Sequence, residues 1–181
     1  TFIRYSEQQK QNTQAHNILE IEYPADFLRD LSIVDTPGVN AVLLEHQKLT
    51  EEFVPRSDLI LFVTSVDRPF TQSEKNFLER IRAWGKKVVI IINKIDLLRT
   101  PEELQKIKTF VQDNCLHLLG FQPDIFTVSA SLAQQSRSAM GHQAIELWES
   151  SHFNDLEAYL FQTLDKEERV RLKLLSPLGV M

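Results

Sequence analysis

The 181-residue chain has one cysteine, Cys115, so no internal disulfide is available, and no Cys/His grouping completes a zinc-type spacing. That usage fits a reducing compartment. Cys115 sits in VQDNCLHLLGF among apolar positions at helical spacing and reads as a small buried side chain rather than a reactive thiol. Basic runs are missing as well, and the formal net charge is -5. This argues against a polybasic membrane patch and against a nucleic-acid groove as the main surface. Long apolar runs are absent: stretches such as KVVIIIN (87–93) are far too short to cross a bilayer. The first residues, TFIRYSEQQKQ, carry no apolar h-region, and no signal peptide is expected. What remains is a chain 43% hydrophobic, enough to build the core of one α/β domain.

Apolar, β-branched runs alternate with helical patterns. TFIRY reads as the middle of a strand. NILEIEY (17–23) has period two and predicts a half-exposed strand, and DLSIVDT (30–36) predicts the next. Leu44, Leu49 and Phe53 in 41–57 have helix-like spacing, stopped near Pro55. DLILFVTSV (58–66) and KKVVIIIN (86–93) are continuous apolar runs, which predict strands buried on both faces. Between them lies a helix over 71–85, with Thr71 as cap, Glu74 three residues on and Gly85 past its end. Thr100, Pro101 and Gly120 bound a second helix, and DIFTVSA (124–130) is the last strand. The polar stretch 131–151 reads as an insertion or a mobile loop. Phe153, Leu156, Leu160 and Leu164 mark one face of a final helix. Strands and helices in alternation with short links predict a mostly parallel sheet flanked by helices, which binds its ligands at the carboxyl ends of the strands.

Three strand ends carry polar clusters: Asp35-Thr36-Pro37-Gly38, then Asn93-Lys94-Ile95-Asp96, then Ser129-Ala130. Each alone is weak, since Asp-x-Pro-Gly is ordinary turn chemistry and Asn-Lys a plain polar cap. In this order, at successive strand ends, they look like the D-x-x-G, N-K-x-D and S-A motifs of guanine-nucleotide-binding proteins. The chemistry suits each spacing. Asp35 at a strand tip can hold the outer shell of a Mg2+ bridging phosphates. Gly38 lacks a Cβ, so its N–H can approach a terminal phosphate, and Thr36 and Pro37 shape that turn. Asp96 can accept from both the ring N–H and the exocyclic amine of guanine. Asn93 can bond loop backbone and base edge, the Lys94 stem can lie across the base, and the Ala130 N–H after Ser129 can donate to the guanine carbonyl. GTP/GDP and Mg2+ are the cofactors this implies.

The phosphate cradle of such a site, G-x-x-x-x-G-K-[ST], does not occur: the glycines are Gly38, Gly85, Gly120, Gly141 and Gly179, and no two are five apart. The expectation is a P-loop NTPase (GTPase) fold that is N-terminally incomplete, with the cradle and first switch upstream. The run DTPGVNAVLLEHQKLTEEFVPRSDLILFVTSVDRPFTQSE, with FLERIRAWGKKVVIIINKIDLL and the later LWESSHFNDLEAYLFQTLDKEERVRLKLLSPLGV, resembles the bacterial dynamin-like GTPases, particularly the cyanobacterial kind and its chloroplast relatives. Asn93 departs from classical eukaryotic dynamins, which have Thr there, and fits the bacterial branch.

The resemblance implies a large GTPase stimulated by head-to-head homodimerisation and coupled to membrane remodelling through regions outside these residues. It implies a cytoplasmic protein, peripheral at a membrane, with no nucleic-acid partner. Residues 1–165 are then a partial GTPase domain and 166–181 the start of a helical stalk. Val39 stands where Ras-like GTPases carry a water-orienting Gln, so water is expected to be positioned by a group outside the chain, with slow basal turnover that rises on dimerisation. Two rivals are an Era-like ribosome- or RNA-associated GTPase and a non-catalytic scaffold with a degenerate GTPase fold. Asp67-Arg68-Pro69 reads as a structural turn or a dimer contact, His46 as an exposed helical residue, and Trp84 and Trp148 as packing residues.

Overall fold

The computed structural model describes residues 1–13, 19–29, 31–36 and 53–163. Its chain divides into two units, Thr1–Phe53 and Val54–Met181. The first unit holds strands β1 (Phe2–Tyr5), β2 (Lys10–Thr13), β3 (Leu19–Tyr23) and β4 (Ile33–Val34), in the order β2-β3-β1-β4. The strands expected at TFIRY and NILEIEY are found over Phe2–Tyr5 and, among the described residues, Leu19–Tyr23. β1 and β3 run parallel, with Ile3 opposite Ile21 and Arg4 opposite Glu22. Arg4 bonds Glu20 at 2.8 Å and Glu22 at 2.7 Å, opposite charges on one face of neighbouring strands. The other two pairings are antiparallel, β2 with β3 and β4 with β1, so this sheet is mixed where parallel pairing was expected. β4 covers two residues of the expected 30–36, and Ile33 and Val34 are both exposed.

In the second unit β5 (Leu59–Ser65), β6 (Lys87–Asn93) and β7 (Asp124–Thr127) pair in parallel in that order. Helix α1 (Gln72–Ala83) links the first two strands and α2 (Pro101–Leu119) the second two. α1 starts on a full capping box: Thr71 accepts from the Glu74 N–H, while the Glu74 carboxylate takes the Thr71 N–H at 2.6 Å. α2 has the Thr100 cap and the first-turn proline, and ends on Gly120 at φ 80°, a left-handed stop that a side chain would strain. Both helices pack on one face of the sheet. Leu78, Ile81, Val111 and Cys115 there meet Phe62, Ile90 and Ile92, with Trp84 against the cluster. Burial pushes the Cys115 thiol up to about 12, so it is an inert core group.

The opposite face is narrower. Val89, Ile91 and Val128 are covered by Leu156, Phe153 and Leu160 of α5 (Phe153–Thr163). That helix bears out the apolar stripe from Phe153 to Leu160; Leu164 and residues 166–181, where a stalk is expected to start, lie outside the described residues. α5 covers little of β5, where Leu59 alone joins this cluster. β6 is buried on both faces as expected, but β5 is not: Ile60 and Phe62 are buried, while Leu61 is 41% and Val63 56% exposed. An edge strand can carry a continuous apolar run without two covered faces.

The polar stretch 131–151 is not a loop. It forms α3 (Ala130–Ser138) and α4 (Gly141–Ser150). α3 buries only Ala133 and Ser136, so no apolar stripe announced it; α4 sets the half-buried Ala144, Leu147 and Trp148 on one face at helical spacing, a stripe the polar composition of 131–151 masked. Of the helix expected over 41–57, only the end is described, where Val54–Arg56 make a 3-10 turn; Pro37, Gly38, Val39 and His46 lie outside the described residues.

Candidate functional site

β6 stops because its last residue spends its side chain on the turn. The Asn93 Oδ1 accepts the Lys94 N–H at 2.7 Å and the Ala130 N–H at 3.0 Å. Lys94 then takes the left-handed conformation, φ 68° and ψ 35°. That costs a non-glycine residue about 1–2 kcal/mol, offset here by the bonds on either side. Its carbonyl accepts the Leu97 N–H at 3.0 Å, closing the 3-10 turn Ile95–Leu97, while the Ile95 N–H reaches the Val128 carbonyl at 3.2 Å. The kink lifts Asp96 onto an exposed tip directly beyond the carboxyl ends of β6 and β7.

Ser129 approaches that tip from the other side. It is fully buried and caps α3 by accepting the Leu132 N–H at 3.2 Å. Its hydroxyl hydrogen goes to Oδ1 of Asp96 in a short bond. Its own N–H is fixed to the Ser151 carbonyl at 2.9 Å, so the turn between α4 and α5 braces the loop from behind. One hydroxyl therefore joins helix cap and carboxylate. Ser129→Ala is expected to lower folding stability by about 1 kcal/mol, the usual worth of a side-chain cap. Denaturant unfolding would show it as a lower midpoint at unchanged slope, and an unshifted midpoint would remove the cap from the account.

The structure thus brings Asn93, Lys94, Asp96, Ser129 and Ala130 into one bonded cluster. The Ala130 N–H, expected to serve a base carbonyl, donates to Asn93 in this arrangement. Sequence reasoning missed one member. Lys94 Nζ donates to Oδ1 of Asp67 at 3.3 Å, and the Ser65 hydroxyl, then Lys94, hold the Asp67 carboxyl below its usual range. Asp67 does lie in the turn expected of Asp67-Arg68-Pro69, closed by the Arg68 N–H on the Ser65 carbonyl at 3.3 Å, and its contact to Lys94 is the added feature. No local pattern signals it: Asp67 comes beside Lys94 through the parallel register of Ser65 with Asn93.

Asp35 and Thr36 belong to the first unit. The Asp35 N–H donates to the Thr1 carbonyl at 2.8 Å, and the Thr1 nitrogen donates to the Asp35 carbonyl at 2.7 Å, extending the β1–β4 ladder by one pair. The Asp35 side chain is exposed, so its carboxylate is not consumed by the fold. Among the described residues, no group of three or more His, Cys, Asp or Glu is placed to hold a metal ion. A single strand-tip carboxylate suits Mg2+, which commonly takes one or two carboxylates and fills its octahedron with phosphate oxygens and water.

Chemically, the second-unit cluster offers an anchored carboxylate with an oxygen to spare beside a flat aliphatic stem. That arrangement matches a planar heterocycle with adjacent N–H donors on one edge.

The family model described as the dynamin family matches residues 3–96. The Arabidopsis thaliana protein "Probable transmembrane GTPase FZO-like, chloroplastic" is 40% identical over 99% of the chain, and dynamin-like protein 1 of Campylobacter jejuni 26% identical over 86%. A solved structure described as an oligomerised bacterial dynamin pair, a mechanism for long-range sensing and tethering of membranes, superposes with a TM-score of 0.70 at 24% identity, over 87% of this chain and 24% of that one. The chain spans 22% of the length of each of the two curated relatives.

Proposed function

The chain belongs to the dynamin family, and from that premise we propose that it carries the base- and metal-recognition elements of a GTPase that converts GTP to GDP and phosphate. Asp96 accepts the ring N–H and exocyclic amine of guanine. The Lys94 stem lies along the base, and Asn93, Ser129 and Ala130 hold the two loops in register. The observation that supports this best is the Ser129 hydroxyl on Asp96 Oδ1, which fixes the carboxylate before any ligand arrives. Asp35 serves Mg2+, and Thr36, Pro37 and Gly38 sense the terminal phosphate, whose loss would release the segment behind them. The 181 residues contain no phosphate cradle, so the remaining phosphate contacts are assigned to residues outside them.

In the full-length protein, hydrolysis is coupled to self-assembly through the GTPase head and to remodelling or tethering of a membrane at which the protein sits peripherally. The assembled membrane-tethering bacterial pair supports this part. Val39 is consistent with it, because a valine cannot orient water and that group must come from outside these residues, in another loop of the protein or in a partner. No described helix is long and apolar enough to cross a membrane.

One set of measurements tests both halves. The full-length protein is expected to bind GDP at least about a hundredfold more tightly than ADP, since an anchored acceptor is left unpaired by adenine. Its turnover per molecule is expected to rise with protein concentration. Equal affinity for GDP and ADP would overturn the site; turnover independent of concentration would overturn the dimer.

A further inference from the structure

An exposed ion pair contributes little to folding, so one that joins two strand ends beside a binding site needs another explanation. The side chains of Lys94 and Asp67 are 52% and 48% exposed. Pairs of this kind add little net stability. Yet Asp67 is not a drifting surface carboxylate, because it sits in a turn closed by the Arg68 N–H on the Ser65 carbonyl at 3.3 Å, and Ser65 is the register partner of Asn93. Asp67 therefore stands at a fixed offset from Lys94, across the gap between the ends of β5 and β6. Lys94 itself is held left-handed, so its backbone gives its side chain one direction of departure. What stays undetermined is where four carbons and an ammonium come to rest.

We propose that Asp67 is a positioning residue for base recognition: by capturing the Lys94 ammonium it holds the aliphatic stem as a flat wall for the purine and keeps that ammonium away from Asp96. This rests on the guanine-nucleotide reading above. The second half of the role is electrostatic. Asp96 is two residues from Lys94 and exposed. An unclaimed ammonium at that distance would pair with the carboxylate that must accept the base N–H groups. Asp67 removes that competitor while leaving the stem in place, and neither role requires Asp67 to touch the nucleotide.

The test is the dissociation rate of GDP from the full-length protein, for the parent, Asp67→Asn, Lys94→Met and the double variant, at low and high salt. Asp67→Asn is expected to release GDP about three- to fivefold faster at low salt, the scale of one exposed pair. The difference should shrink at high salt, where the parent's own pair is screened. The double variant should release GDP no faster than Lys94→Met, because Asp67 acts only through Lys94. Thermal unfolding of Asp67→Asn should match the parent. A purely structural role would instead lower the melting temperature, add to the Lys94→Met effect and ignore salt, and that pattern overturns the proposal. So does a parent-like release rate in Asp67→Asn when the parent prefers GDP over ADP, which leaves the functional reading standing. A parent that does not discriminate GDP from ADP removes the functional reading, and this role with it.

Discussion

Asp96→Asn in the full-length protein is expected to weaken GDP binding by about two to four orders of magnitude, at about 1.5–3 kcal/mol for each of two hydrogen bonds to a charged acceptor. The amide retains an oxygen for the Ser129 hydroxyl, so the 3-10 turn and the α3 cap survive, and thermal unfolding should stay close to that of the parent. What changes is polarity at the outer atom. A carboxylate only accepts, while an amide nitrogen donates and meets the guanine amine donor to donor. The same change should favour xanthine, which has a carbonyl where guanine has the amine. Isothermal titration with GDP, XDP and ADP is therefore expected to show GDP falling, XDP rising and ADP unaffected. Asp96→Ala should lose GDP without gaining XDP, which separates reversed polarity from a vacated site. GDP binding within about threefold of the parent in both variants would mean that Asp96 does not read the base, since even one lost charged hydrogen bond exceeds that factor.

The parts of this site legible in the sequence were those that fold through local chemistry. Thr71 with Glu74, and Thr100 with Pro101, announce helix starts because capping involves residues three apart. The β6 run ending in Asn93 announces a buried strand with a polar tip, since both of its faces are covered. β5 is a comparably apolar run with a different outcome: whether Leu61 and Val63 are covered depends on a neighbour distant in the chain, and no local pattern encodes that. α3 escaped because its buried positions are alanine and serine, and a periodicity argument weighs apolar bulk; α4 escaped although Ala144, Leu147 and Trp148 recur at helical spacing, because the polar composition of 131–151 outweighed that short stripe. Asp67 escaped for a third reason. Its partner is 27 residues away, and only the parallel register of Ser65 with Asn93 brings the two together. The mixed sheet of the first unit belongs with β5: NILEIEY shows its alternation, but alternation says nothing of the direction in which its neighbours run.

Asp35→Asn addresses the other half of the chemistry, where the fold makes a clean separation possible. The backbone of Asp35 is tied to Thr1 by a reciprocal pair of hydrogen bonds, and its side chain is exposed, so the substitution should change stability by no more than about 0.5 kcal/mol. Its effect should appear in hydrolysis. A bound Mg2+ supplies several kcal/mol of charge stabilisation to a transferring phosphoryl group. Loss of the carboxylate that helps hold it is therefore expected to lower the turnover of GTP by about a hundredfold and to raise the Mg2+ concentration giving half-maximal rate at least about tenfold. GDP binding measured without Mg2+ should stay within about threefold of the parent, because the proposed function gives the base to the Asn93–Asp96 turn and not to Asp35. This is the converse of Asp96→Asn, which loses the base while keeping its dependence on Mg2+ among whatever nucleotides it still binds. If Asp35→Asn lost metal-free GDP binding as well, the residue would belong to base recognition or to the fold, and its melting temperature would tell which. If turnover and its Mg2+ dependence were both unchanged, the metal would be held elsewhere, and the strand-tip carboxylate would be the ordinary turn residue that Asp-x-Pro-Gly can equally well specify.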